Sequence, residues 1–270
     1  MCPRLKTVLI SVNCLISINI VFSQNSNWEK LAFPQGIRVE QIAFNTKSDI
    51  FISTWWYPDS AVLDGNIDRI ERSTDHGNSW QYVLNTGWQP ITIAVDSVNN
   101  LFAGTWGSVF KSSNNGATWD TLVDTLPISA IHTVSLSPSG CIFIGANHSN
   151  FRSKDNGKHW ELIPLQYQAE EFLFLKNGDI LAGVNSGYFP NPPQYIYRST
   201  DGGDSWQTVL NADKTYGWSL VASNNGTVFA ATAEYDSSLG GVYRSTDSGV
   251  SWSRVNNGLP VREVNSLVIT

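Results

Sequence analysis

Ser73-Thr74-Asp75-His76-Gly77-Asn78-Ser79-Trp80 is a turn phrase closed by a large aromatic residue, and it returns four more times along the 270 residues. The later copies are Ser112–Trp119, Ser153–Trp160, Ser199–Trp206 and Ser245–Trp252, with 39, 41, 46 and 46 residues between successive tryptophans. Self-similarity at a period of about 40–50 residues marks a propeller or solenoid, in which no single repeat can bury its own apolar face. The phrase therefore fixes the architecture before any single residue is assigned a role.

Around the phrase, each repeat reads as four short strands. In the fifth, the runs are 218–222, 227–232, 241–245 and 251–255, with Asn224-Asn225-Gly226 and the Asp-Gly phrase supplying the turns. The second repeats the order at 91–95, 101–105, 109–112 and 118–123. Small, apolar and β-branched residues fill the runs, while Asn, Asp and Gly sit between them. No amphipathic helical segment follows residue 23, so the predicted class is all-β. Four-stranded blades arranged radially hide the many sheet edges of such a chain.

The two ends read differently. Arg4 and Lys6 precede a mostly apolar run from Val8 to Phe22, and Ser23 follows, the pattern of a cleavable export signal over residues 1–23. The run is short for a membrane span of roughly 20 apolar residues. Residues 24–270 then form the propeller. Removing the leader takes away two cations and no anion, so the net charge goes from −6 to −8. That acidity disfavours nucleic acid and anionic lipid as partners. Cys141 is the one cysteine left, so no intrachain disulfide is available, and it reads as a small core residue. Trp28–Phe33 looks like an outer strand lacking its first three, and Glu263–Thr270 like a first strand with nothing after it. Five near-complete blades, parts of a sixth and a C-terminal truncation are the expectation.

Five copies in register make the phrase similar to the Asp-box, or BNR repeat, of the sialidase-like β-propellers. The resemblance covers essentially all of residues 24–270 and implies the propeller fold; such boxes occur in hydrolases, sorting receptors and assembly factors alike. The box has a mechanical reading. Asp75, Asp155, Asp201 and Asp247 accept hydrogen bonds inside their own turns, the glycine takes a backbone angle other residues resist, and Trp80, Trp119, Trp160, Trp206 and Trp252 anchor the outer strand. Asn114 replaces Asp in the second copy and keeps the acceptor oxygen; His159 replaces Ser/Thr in the third. Each turn carries one carboxylate, so no metal site is predicted. Arg72, Lys111, Arg152, Arg198 and Arg244 share one position just before the box and read as structural and solvent-facing.

If strands alternate in and out, all boxes lie at one end of the sheets and the non-repeated residues collect at the other. Six of the eleven tryptophans (Trp28 and the five box anchors) belong to the repeat; Trp55, Trp56, Trp88, Trp106 and Trp218 fall at or beside the second end. With Tyr57, Tyr188 and Tyr235 they form the predicted ligand-binding set, since aromatic rings suit both sugar stacking and protein interfaces. Inserts over 58–66, 186–194 and 235–240 lengthen loops on the same face.

Catalytic signals are thinner. Sialidases of this fold imply an early Phe/Tyr-Arg-Ile-Pro motif and an arginine clamp, and the motif is absent here. Xyloglucan-cleaving propellers imply an Asp after an early strand, where this chain has Trp55 and Trp56. Asp59, Asp64 and Glu234 are the candidate carboxylates, with Glu170, Glu171 and Asp236 also on the right face. No nucleophile elbow, Walker loop or zinc spacing is present, and no cofactor is indicated. The reading is an exported binding scaffold, secreted, periplasmic or on the cell surface, whose ligand is a polysaccharide or surface protein. The alternative is a sialidase-like or xyloglucanase-like glycoside hydrolase, and a third possibility is an assembly protein.

Overall fold

The fold is described from a computed structural model covering residues 8–9, 21–24, 27–30, 37–56, 69–85, 92–123, 130–185, 194–212, 215–234, 240–259 and 264–269. Every regular element in it is a β-strand. Two compact units emerge, one up to Thr121 and the other from Leu122 to Ile269.

In the first unit, β1 (Val8–Leu9), β2 (Val21–Gln24) and β3 (Asn27–Lys30) form a three-stranded antiparallel sheet. Trp28 thus lies on a strand as expected, but two strands from within the leader stretch precede it. A first four-stranded sheet follows: β4 (Ile37–Phe44), β5 (Ile50–Trp56), β6 (Arg69–Ser73) and β7 (Gln81–Asn85). The second comprises β8 (Thr92–Val95), β9 (Leu101–Gly104), β10 (Val109–Ser112) and β11 (Asp120–Val123). Phe51 and Ile70 of the first sheet pack with Ile93, Leu101 and Ala103 of the second in one dry layer.

The second unit holds three more four-stranded sheets. The third sheet is β12 (Ile131–Leu136), β13 (Ile142–Ala146), β14 (Ser149–Ser153) and β15 (Glu161–Ile163). The fourth is β16 (Gln168–Phe174), β17 (Ile180–Asn185), β18 (Gln194–Ser199) and β19 (Gln207–Asn211). The fifth is β20 (Thr215–Ala222), β21 (Val228–Glu234), β22 (Gly241–Ser245) and β23 (Ser253–Arg254). Strands pair antiparallel in chain order within every four-stranded sheet, the up-and-down meander of a propeller blade. The second strands are buried on both faces, since each is covered by its own neighbours and by an adjoining sheet; β13 and β9 are buried at every position.

Sheet-on-sheet packing in this unit buries two layers. Phe143 of the third sheet lies against Phe172, Ile180 and Ala182 of the fourth. Leu181 and Ile196 of the fourth lie against Leu220, Val228 and Tyr243 of the fifth. Cys141 is partly buried at the edge of the former layer. Residues 264–269, expected as a first strand, adopt no strand conformation, although the Leu267 amide donates to Ser219 Oγ at 3.0 Å. No helix among the described residues is long and apolar enough to cross a membrane.

Candidate functional site

The box end of each sheet is closed on itself. In the first copy Ser73 Oγ donates to Asp75 Oδ1 at 2.8 Å and accepts from the Gly77 amide at 2.8 Å. Oδ1 also accepts the Ser79 amide at 2.9 Å, and Oδ2 accepts the Ser79 hydroxyl at 2.5 Å. The copies at Asp155, Asp201 and Asp247 repeat this circuit. The substituted copies keep it too. Asn114 Oδ1 accepts the Thr118 amide while its Nδ2 donates to Thr118 Oγ1, and His159 Nδ1 meets Asp155 Oδ2 at 2.5 Å.

The glycine of every box has φ between 82° and 95°, so the turn needs left-handed backbone at that position. These donors hold the carboxylates ionised. The Ser79 hydroxyl, then its amide, keeps Asp75 at about 2, and the His159 amide and ring keep Asp155 at about 2. Asp201 and Asp247 are lowered in the same way, led by Ser205 and by Ser245. A carboxylate so saturated by its own turn has little left for a ligand.

The cation before the box faces inward more than the sequence suggests. Arg152 keeps only 7% of its side chain exposed; it donates to the Gly202 carbonyl of the next box at 2.5 Å and pairs with Asp204 and Glu161. Burial works against its charge, but Asp204 and Glu161 outweigh it and raise its pKa. In the first unit Arg72 does the same, donating to the Asn115 carbonyl of the next box at 2.7 Å. Arg198 pairs with Asp179 at 2.6 Å, and Lys111 sits 5.5 Å over the Phe102 ring. Only Arg244 is exposed as read. Arg72 and Arg152 thus join neighbouring sheets, Arg198 and Lys111 contact their own sheets, and Arg244 faces solvent.

At the opposite end the inner strands break register. The register skips one residue or two at β-bulges: Glu40 on β4, His132 on β12, Glu170 on β16, and Gly217 with Trp218 on β20. A bulge re-aims a side chain away from the regular alternation of a strand. In the second unit the result is two equivalent polar pairs, each 15 residues apart in sequence. His132 Nε2 meets Asn147 Oδ1 at 2.7 Å, and Asn185 Nδ2 donates to Glu170 Oε1 at 2.8 Å. Burial lowers the His132 pKa against the pull of Asn147, and raises that of Glu170 against the donation from Asn185. Each group is therefore biased toward its neutral form.

The candidate ligand residues divide into four groups. Trp106, just past β9, is half exposed at 50%. Trp55 and Trp56 end β5, paired with Arg38 and Ile37, and Glu234 ends β21 opposite Thr215. Tyr57, Asp59, Asp64, Trp88, Tyr188 and Tyr235 lie outside the described residues. Trp218 departs from the expectation: it is 8% exposed, its Nε1 donates to the Val184 carbonyl at 3.2 Å, and it belongs to the core between the fourth and fifth sheets. The polar bulge pairs were not recognised in the sequence, although their shared 15-residue spacing, from an inner strand to the end of the second, was available as a signal.

A sequence-family profile described as photosynthesis system II assembly factor YCF48 matches residues 129–259. Among solved structures, a GH74 enzyme of Niastella koreensis superposes with a TM-score of 0.69 at 21% identity, covering 88% of this chain and 42% of the enzyme. YCF48 bound to a D1 peptide gives 0.65 at 17% identity, covering 97% of this chain and 81% of that one. PorZ, a surface component of the type-IX secretion system of Porphyromonas gingivalis, gives 0.54 at 13%, covering 86% and 36%. No curated protein sequence matches. At these identities the likeness concerns the fold, which is that of an Asp-box, BNR-type β-propeller.

Proposed function

We propose that this Asp-box β-propeller is an exported binding scaffold, and that its ligand, a polysaccharide or a surface protein, docks at the end of the sheets remote from the boxes. One observation carries the reading: the two ends of the sheets are chemically unequal. At the box end, hydroxyls, amides and carboxylates satisfy one another within each turn. At the other end the residues differ from sheet to sheet, with Trp106 half exposed and the His132–Asn147 and Glu170–Asn185 pairs at the bulges. Variable groups on a rigid repeat are the usual basis of recognition. The YCF48 structure with a peptide bound and the surface location of PorZ support a protein ligand; the GH74 likeness supports a glycan. Export rests on the leader pattern of residues 1–23.

Glycoside hydrolysis is the second reading, favoured by Glu170, a carboxyl that burial holds above its ordinary range as a general acid requires. Its sequence neighbour Glu171 is turned to the Leu220 amide of the next sheet and supplies no facing carboxylate. The test combines glycan and surface-peptide arrays with hydrolysis assays on xyloglucan and sialosides. Retained ligand with no sugar released is expected. Sugar release abolished by Glu170→Gln, Asp59→Asn or Asp64→Asn establishes the hydrolase instead.

A further inference from the structure

One step past the inner-strand bulge, a side chain reaches to the next sheet position and accepts a backbone N–H there. In the first unit Gln41 Oε1 accepts from Ile93 at 2.7 Å. In the second unit Glu171 Oε2 accepts from Leu220 at 2.8 Å, and Ser219 Oγ accepts from Leu267 at 3.0 Å. An amide, a carboxyl and a hydroxyl thus perform one task, and each can do so while neutral. Glu171 is the only one of the three that can acquire a charge.

Beyond the Leu220 amide, no cation among the described residues pairs with that charge. Glu171 is partly buried on β16, against which β12, β13, β14, β17 and β20 pack. The charged or titratable residues on those strands are His132 on β12, Arg152 on β14 and Tyr216 on β20; β13 and β17 carry none. Arg152 is engaged by Gly202, Asp204 and Glu161, and His132 by Asn147. The neighbour on its own strand is Glu170, a second carboxyl. We propose that Glu171 is a pH-sensitive latch between the fourth and fifth sheets, closed while its carboxyl is protonated and loosened when it ionises.

The titration agrees with the geometry. Burial, with Glu170 adding to it, pushes Glu171 from an ordinary 4.5 up to about 8, against the donation from Leu220. The folded state therefore keeps a proton that the unfolded chain gives up. Its contribution to stability is whole below pH 4.5, fades as pH rises, and is gone above about 8. His132 acts in the opposite sense across the lower part of this window, because its pKa is lowered from 6.5 and the folded state gains as pH rises past it. The latch is consequently read as a difference between variants rather than from a single melting curve.

The experiment is thermal unfolding of the wild type and Glu171→Gln from pH 5 to pH 9, with hydrogen exchange followed at the Leu220 amide. Gln copies the acceptor found at position 41, so the variant should match the wild type at pH 5 and melt at least about 4 °C higher at pH 9. Leu220 protection, corrected for intrinsic exchange, should fall about tenfold more in the wild type than in the variant between pH 6 and pH 9. Glu171→Ser, which copies position 219, serves as a second neutral acceptor. A stability difference constant across this range overturns the latch, as does wild-type Leu220 protection that does not fall with pH.

Discussion

At the residue scale, the box works as a set of reciprocal hydrogen bonds, and each member has a calculable effect. Ser199 Oγ is buried and both donates to Asp201 and accepts from Gly203, so Ser199→Ala leaves a buried amide unpaired and should cost about 1–3 kcal/mol by chemical denaturation. Trp206 packs on Phe172 and donates to the Gly203 carbonyl, whereas Trp106 is half exposed. Trp206→Ala should therefore cost about 3 kcal/mol and Trp106→Ala less than about 1, measured by the same method. Equal losses would reverse the roles given to the two ends. The box carboxylates add an acid limit: their pKa values are lowered, so their stabilisation is present above the ordinary 3.8 and drains away as pH falls toward about 2. Asp75→Asn should flatten part of that acid transition in a pH titration of the fold. These roles were legible in the sequence because the box bonds to itself. Trp218 was not, since its burial depends on Gly183, where an added Cβ would come within 2.7 Å of the Trp218 side chain.

At the element scale, the strands were legible and their irregularities were not. β22 falls at Gly241–Ser245 and β10 at Val109–Ser112, as the run of β-formers and turn residues required. The bulges at His132 and Glu170 left no local trace, because the shift in register is set by pairing with the second strand and not by the run of β-formers itself. The arginine position had the same ambiguity. One repeat slot holds Arg152, engaged with the following box, and Arg244, which is exposed. Arg152→Ala should cost about 2 kcal/mol, the loss of charge-assisted bonds whose acidic partners remain largely solvated. Arg244→Ala should stay within about 0.5 kcal/mol in the same unfolding assay. A similar cost at both positions would mean that repeat identity, not the contact with the next box, sets the energetics.

At the scale of the whole molecule, repetition and variation separate along the strand direction. The repeated residues at one end explain why five sheets form; the unrepeated residues at the other are what a ligand could tell apart. The architecture was readable because a period written five times is a strong signal, while ligand identity was not, because no two sheets share the residues that would carry it. The decisive measurement is ligand binding, by biolayer interferometry against the best array hit, for three proteins of matched stability. These are the wild type, a box-end variant Lys158→Ala, and a variant carrying His132→Ala with Asn147→Ala. The account predicts unchanged affinity for Lys158→Ala and a loss of at least about tenfold, or 1.4 kcal/mol, for the double variant. Affinity lost in Lys158→Ala and kept in the double variant would contradict it.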